Sequence, residues 1–232
     1  LSLGIDSGGS GTYTISNGTL NVSGDVVNGA GTGTLNIDGG TVNAGTIGVD
    51  NLNIANSAGT NGSHTLGSGE SISTGNETIG NSGTGTFTQT GGTNTVSNDL
   101  NIGNNSGSSG TYNLSAGTNT VSNSLVLGFS SGSNGTFNLS GTGNLDSSYV
   151  FVGREDTGIF TQTGGTHSVS NDLNIGINSG SSGTYNLSSG TNSVSNNLNI
   201  GIQSGSSGTY NLSGGTNTVS NSLVLGFSSG SN

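Results

Sequence analysis

The stretch Gly208 to Asn232, GTYNLSGGTNTVSNSLVLGFSSGSN, recurs with small changes along the chain, and no other feature restricts the fold as strongly. Counting from Tyr210 as zero, Leu212 stands at offset 2, Asn217 at 7, Val219 at 9, Asn221 at 11, Leu223 at 13, Leu225 at 15 and Phe227 at 17. From offset 7 onward these inward candidates keep odd parity. That is the two-residue alternation of a half-buried strand, not the 3.6-residue period of a helix. Tyr210 and Leu212 alternate on even offsets, and the parity changes across Gly214-Gly215, where glycine accepts the positive φ of a corner. The unit predicts three short strands, Tyr210 to Leu212, Thr216 to Ser220 and Leu223 to Phe227, closed by a polar SSGSN turn.

The slot of Tyr210 is filled in turn by Tyr13, Leu35, His64, Phe87, Tyr112, Phe137, Phe160, Tyr185 and Tyr210, at spacings of 22 to 29 residues. A period of this length marks stacked repeats, each unable to bury its apolar face alone. Short strands joined by glycine-rich corners predict an all-β chain: a parallel β-helix, or β-solenoid, of about nine coils with roughly 25 residues and three short strands per coil. One continuous solenoid is expected, with less regular coils over 1–84 and regular coils over 85–232. Leu1 to Ile5 matches the third strand of the unit, and Asn232 falls where a GTF or GTY is due, so a segment of a longer array is expected. Two irregularities stand in the first third. About four extra residues separate Leu35 from Leu52, and Glu77 occupies the slot of Leu100 and Leu125. A carboxylate facing a dry core is costly, so a bulge that turns Glu77 to solvent is expected.

With 26% hydrophobic residues and 47 glycines, composition alone favours disorder. The low charge content, 5%, and the fixed apolar offsets argue instead for a folded repeat. Arg154 is the one basic residue in a chain of net charge −10, so phosphate neutralisation is not available and neither nucleic acid nor an anionic membrane is expected as a partner. The absence of lysine excludes a Walker A motif and a Schiff-base lysine. The absence of cysteine excludes disulfides and thiolate metal sites. The longest apolar run, Tyr149 to Val152, is too short for direct membrane insertion of this segment.

Asparagine is the most informative polar residue. Offset 7 carries Asn94, Asn119, His167, Asn192 and Asn217, and offset 11 carries Asn98, Asn123, Asn171, Asn196 and Asn221. By parity these face inward and stack as a structural ladder, each amide satisfying the next. The other reading places them at corners with left-handed backbone, which asparagine tolerates. Gln89 and Gln162 replace leucine at offset 2, where local hydrogen bonding is expected. On the opposite parity run Thr93 and Thr95, Thr118 and Thr120, Thr166 and Ser168, Thr191 and Ser193, and Thr216 and Thr218, an outward Thr-x-Thr file. Such a file suits an exposed strand; it also resembles the flat face of β-solenoid ice-binding proteins, which makes it the alternative binding face.

Catalytic, cofactor and metal sites are not expected. His64 and His167 lie far apart in coil number, so they do not share a metal or a Ser-His-Asp triad. The eleven acidic residues are scattered, with Glu155 and Asp156 the one adjacent pair. A carbohydrate-active β-helix enzyme, which needs clustered acids or bases, is therefore the last of the readings.

With GTFTQTGGTNTVSNDLNIG at Gly85 to Gly103 and GTYNLSSGTNSVSNNLNIG at Gly183 to Gly201, the chain resembles the glycine-rich repeats of bacterial autotransporter-like proteins. Those repeats are associated with type V secretion passengers and PEP-CTERM surface proteins. The resemblance implies an extracellular or bacterial cell-surface β-solenoid serving as a fibre, stalk or adhesin-type filament; with the residue survey above, a non-catalytic role without cofactors is expected. Its expected partners are copies of itself, end to end or laterally, with a glycan or host surface as the other class. An ice- or glycan-binding solenoid is the alternative function.

Overall fold

A computed structural model describes residues 1–226 of the chain, so Phe227 at the expected end of the last strand, the SSGSN turn and Asn232 lie outside the described residues. Within them there are 21 strands, from Ser2–Leu3 to Leu223–Leu225, and no helix. All pair in parallel, building a β-solenoid of about nine turns with roughly 25 residues per turn. The strands of the unit analysed above span Ser207–Leu212, Thr216–Val219 and Leu223–Leu225. The first thus begins three residues earlier than expected, at the serine before Gly208.

From Asn61 onward three faces repeat. The aromatic face contains Asn61–Leu66, the first half of Thr84–Val96 and their successors up to Ser207–Leu212. Its inward rings form a column: Phe87 and Tyr112 lie 4.7 Å apart between centroids, Tyr112 and Phe137 4.8 Å, Phe137 and Phe160 5.0 Å, Phe160 and Tyr185 4.5 Å, and Tyr185 and Tyr210 4.9 Å. The spacing is that of adjacent strands, because identical side chains in register stack at the strand repeat. Each such pair adds about 0.5–1.5 kcal/mol beyond its buried area. The second face aligns Asn94 on Asn119 and Val96 on Val121. The third aligns Leu100 on Leu125 and Ile102 on Leu127.

Several glycines per coil let the coils close. The one two residues before the inward ring has no room for a side chain: a Cβ on Gly135 would lie 2.2 Å from the Ile102 carbonyl oxygen, and one on Gly110 2.1 Å from that of Ile79. Gly107, at φ +80°, occupies the turn that Ser108 N closes onto the Asn105 carbonyl at 3.0 Å, and its side-chain space is open. Positive φ there is what a tight turn of type II demands.

The N-terminal coils are out of phase with the rest. Leu35 was expected to share a column with His64, but Thr34, Leu35, Asn36 and Ile37 pair with Asn51, Leu52, Asn53 and Ile54. The latter four then pair with Asn76 to Ile79 and so with the third face. Tyr13 and Leu35 thus belong to the leucine column, not the aromatic one. The step from Leu35 to Leu52 is only 17 residues, so the column continues while the motif beginning at Gly62 falls on a different face from the one beginning at Gly33. Asp50 stitches this slip: its Oδ2 accepts from Gly33 N at 2.8 Å and from the Asn28 amide. Thr46–Ile54 forms a single strand through that corner. Above Thr41–Asn43, which pairs below with Thr19–Asn21, no strand is paired among the described residues; a cavity of about 150 Å3 is lined by this strand and by Ser63, His64 and Thr65.

Candidate functional site

The interior holds two polar networks built to one plan three coils apart. In the first, Gln89 replaces leucine, and its Nε2 donates to the carbonyls of Thr118 at 2.9 Å and Gly92 at 3.3 Å. That fixes Oε1 as the acceptor for Tyr112 OH, at 2.6 Å. Asn94 Nδ2 donates to the tyrosine oxygen at 3.2 Å and to Glu77 Oε2 at 2.7 Å. In the second, Gln162 Nε2 donates to the carbonyls of Thr191 at 2.9 Å and Gly165 at 3.3 Å, and Tyr185 OH donates to Gln162 Oε1 at 2.8 Å. His167 now stands where Asn94 stood, its Nδ1 3.0 Å from Tyr185 OH and its Nε2 3.1 Å from Ser147 Oγ.

The glutamine sets the direction of the second chain. Since Tyr185 gives its proton to Gln162, its oxygen accepts from His167 Nδ1–H, which leaves Nε2 to accept from the Ser147 hydroxyl. Burial holds His167 at about 3 and His64 at about 4, below the ordinary 6.5, so both are neutral imidazoles at pH 7; Glu70 nearby pulls His64 back in part. Both tyrosines are pushed up, chiefly by burial. Ser147 and His167 make a nucleophile–base contact, but the hydroxyl points inward from a residue only 5% exposed. The pair is a satisfied internal link. The sequence signal was present: FTQTGGT occurs twice, each time followed one coil later by a tyrosine in the aromatic slot.

Glu77 corrects the expectation of a solvent-facing bulge. It stays in the leucine column between Leu52 and Leu100 and is fully buried. Burial raises its carboxyl to about 7, against a smaller opposing effect of the Asn94 hydrogen bond. No backbone rearrangement was needed, because Asn94 on the adjacent face supplies a donor.

The asparagine positions divide. At offset 7, Asn94, Asn119 and Asn192 are fully buried, but the expected ladder forms only between Asn192 and Asn217, Asn192 Nδ2 donating to Asn217 Oδ1 at 2.8 Å, whereas Asn94 turns to Glu77 and Tyr112 and the Asn119 amide has no partner among the described residues. The file is broken by Leu145, which takes its place between Asn119 and His167. At offset 11, Asn98, Asn123 and Asn221 are exposed and Asn171 and Asn196 half-buried, so these five do not face inward. They occupy the corner between the second and third faces, and without left-handed backbone, since Ala55 is the one positive-φ residue other than glycine among the described residues. Their amides cap the corner: Asn123 Nδ2 donates to Asp99 Oδ1 at 2.8 Å and Asn196 Nδ2 to Asp172 Oδ1 at 2.8 Å. Further asparagine ladders run outside, at positions the inward-facing pattern passed over. Asn138 donates to Asn113 at 2.9 Å, Asn199 to Asn174 at 2.9 Å and Asn211 to Asn186 at 2.8 Å.

The Thr-x-Thr file does face outward: Thr93, Thr191, Thr216 and Thr218 are exposed, and Thr95, Thr118 and Thr120 half-buried. It is not unbroken. Asn144 and Asp146 interrupt it, paired to each other at 2.9 Å. Along one edge Thr120, Asp146, Ser168 and Ser193 line a groove of about 310 Å3 with the corner serines Ser122, Ser148, Ser170 and Ser195. Among the described residues no cluster of three metal-ligating side chains occurs. No family model, curated protein or solved structure matches the chain.

Proposed function

We propose that this chain is a non-catalytic structural rod, part of an extracellular or cell-surface fibre, stalk or adhesin-type filament. The observation that supports it is in the interior: the Ser147–His167–Tyr185–Gln162 chain is locked coil to coil and serves cohesion. A column of stacked rings and parallel ladders along about nine turns makes a stiff body roughly 43 Å long at about 4.8 Å per turn. The proposed partner is a further length of the same repeat, because a coil with a 25-residue register finds its best-fitting neighbour in another such coil.

Antibody labelling of intact cells that express the protein tests the location. Labelling without permeabilisation supports surface display; labelling only after permeabilisation contradicts it. The outward hydroxyl file favours ice binding as a second reading, and the break at Asn144 and Asp146 weighs against it. The expected result is no thermal hysteresis from the purified rod. Hysteresis lost in Thr118→Lys and Thr216→Lys variants would replace the structural reading.

A further inference from the structure

The outer surface carries few large side chains, and their distribution is uneven. At the two outward positions of the third face most coils carry small or polar residues: Ser124, Asp172 and Asn197 at the first, Asn101, Asn174 and Asn199 at the second. One coil departs from this with Tyr149 and Phe151, two residues apart on the strand Asn144–Val152 and therefore on the same side of the sheet. Their ring planes lie within 17° of parallel with centroids 6.5 Å apart. Tyr149 is 37% exposed. Val126, the register partner of Phe151 one coil below, also faces outward yet is only 2% exposed, so Phe151 rests on an apolar footing. The neighbouring outward ring, Phe129, is already covered, with the Arg154 guanidinium 4.4 Å from its centroid.

We propose that Tyr149 and Phe151 form a binding platform for a neutral glycan. Nearly parallel rings on one side of the sheet, Tyr149 exposed and Phe151 half-buried, offer apolar π surface to the C–H face of a pyranose. Hydrogen-bonding groups for the sugar hydroxyls stand one coil above. The Asp172 backbone accepts from Val150 N at 3.0 Å, which places this residue over Tyr149; its Oδ1 takes Asn196 Nδ2 and Asn197 N, and Oδ2 takes no partner among the described residues. A carboxylate oxygen accepting from a sugar hydroxyl makes a charge-assisted bond. The choice of a neutral sugar follows from charge: the chain carries −10, and Asp172 at the platform repels an acidic one. This site lies on a different face from the Thr-x-Thr file, and it does not depend on where the rod is displayed.

The test is an NMR titration of the 232-residue chain with hexasaccharides of β-1,4-glucan, β-1,4-mannan and α-1,4-glucan. The expected result is a set of shift changes confined to residues 124–126, 149–151 and 172–174 with at least one of the three. A Tyr149→Ser, Phe151→Asn double variant installs side chains that other coils carry at these positions, so it keeps the fold, as its circular dichroism and melting temperature will confirm. It is expected to bind at least tenfold more weakly. No shifts with any of the three, shifts centred on the Thr file, or unchanged affinity in the double variant would overturn the proposal. So would dimerisation of the parent chain that the double variant abolishes, which assigns the platform to a second copy.

Discussion

Glu77, His64 and His167 hold three ionisable groups in a core that offers almost no solvation, and their effects on stability run in opposite directions. Glu77 keeps its proton in the fold between the ordinary 4.5 and about 7, where the unfolded chain has lost it. The folded state then binds more protons, so this contribution is complete below 4.5 and is lost as pH rises to about 7, a loss of about 3 kcal/mol. The histidines act in reverse. Neutral in the fold down to about 4 for His64 and about 3 for His167, they stabilise above 6.5 and lose that contribution as pH falls. Urea unfolding at several pH values checks this. The stability difference between Glu77→Leu and the parent should be about 3 kcal/mol larger at pH 8 than at pH 4. Parallel profiles would contradict the buried placement of Glu77. His167→Asn, which installs the side chain of the coil above, should make the acid limb shallower, leaving the His64 part, without altering the alkaline one.

Coil closure rests on two kinds of glycine, and they differ in what they tolerate. Gly135 packs against the backbone of the coil below, which cannot yield without breaking the ladder, so Gly135→Ala should cost about 3 kcal/mol or more. Gly107 has open space and only a positive φ to maintain, so Gly107→Ala should cost about 1 kcal/mol. Thermal melts of the two variants make the comparison; equal losses would show that the close approach at Gly135 is relieved by shifts elsewhere. The three faces and the aromatic column were legible in the sequence because alternation and period repeat almost without change from Gly85 onward. The slip is hidden, because Leu35 follows Gly33-Thr34 just as Tyr112 follows Gly110-Thr111, although the two lie in different columns. Leu35-Asn36-Ile37 and Leu52-Asn53-Ile54 carry the same LNI triplet as Leu100-Asn101-Ile102, and all three lie in one sheet. The triplet was the better marker. Of the two readings open for the offset-11 asparagines, the corner one holds without its left-handed backbone; parity does not reveal it, because odd parity continues through offset 11 although the chain bends there.

At the scale of the whole molecule the account depends on register: coils stack in parallel, in phase from Asn61 onward, with one slip between Thr34–Ile37 and Asn51–Ile54. The chain has no cysteine, so pairs can be introduced on a clean background. Thr34 and Asn51 are register partners whose side chains already meet, Asn51 Nδ2 standing 3.5 Å from Thr34 Oγ1. Adjacent parallel strands bring Cα atoms within the roughly 4.4–6.8 Å that a disulfide spans. The most direct measurement is oxidative cross-linking of Thr34→Cys, Asn51→Cys beside Thr34→Cys, Ser63→Cys, with Thr111→Cys, Thr136→Cys as the in-phase control. The slipped solenoid predicts rapid disulfide formation in the control and in the 34–51 pair, and none in the 34–63 pair. Cross-linking of 34 with 63 while 34 and 51 remain free would contradict it, because the coils would then be in one phase from end to end.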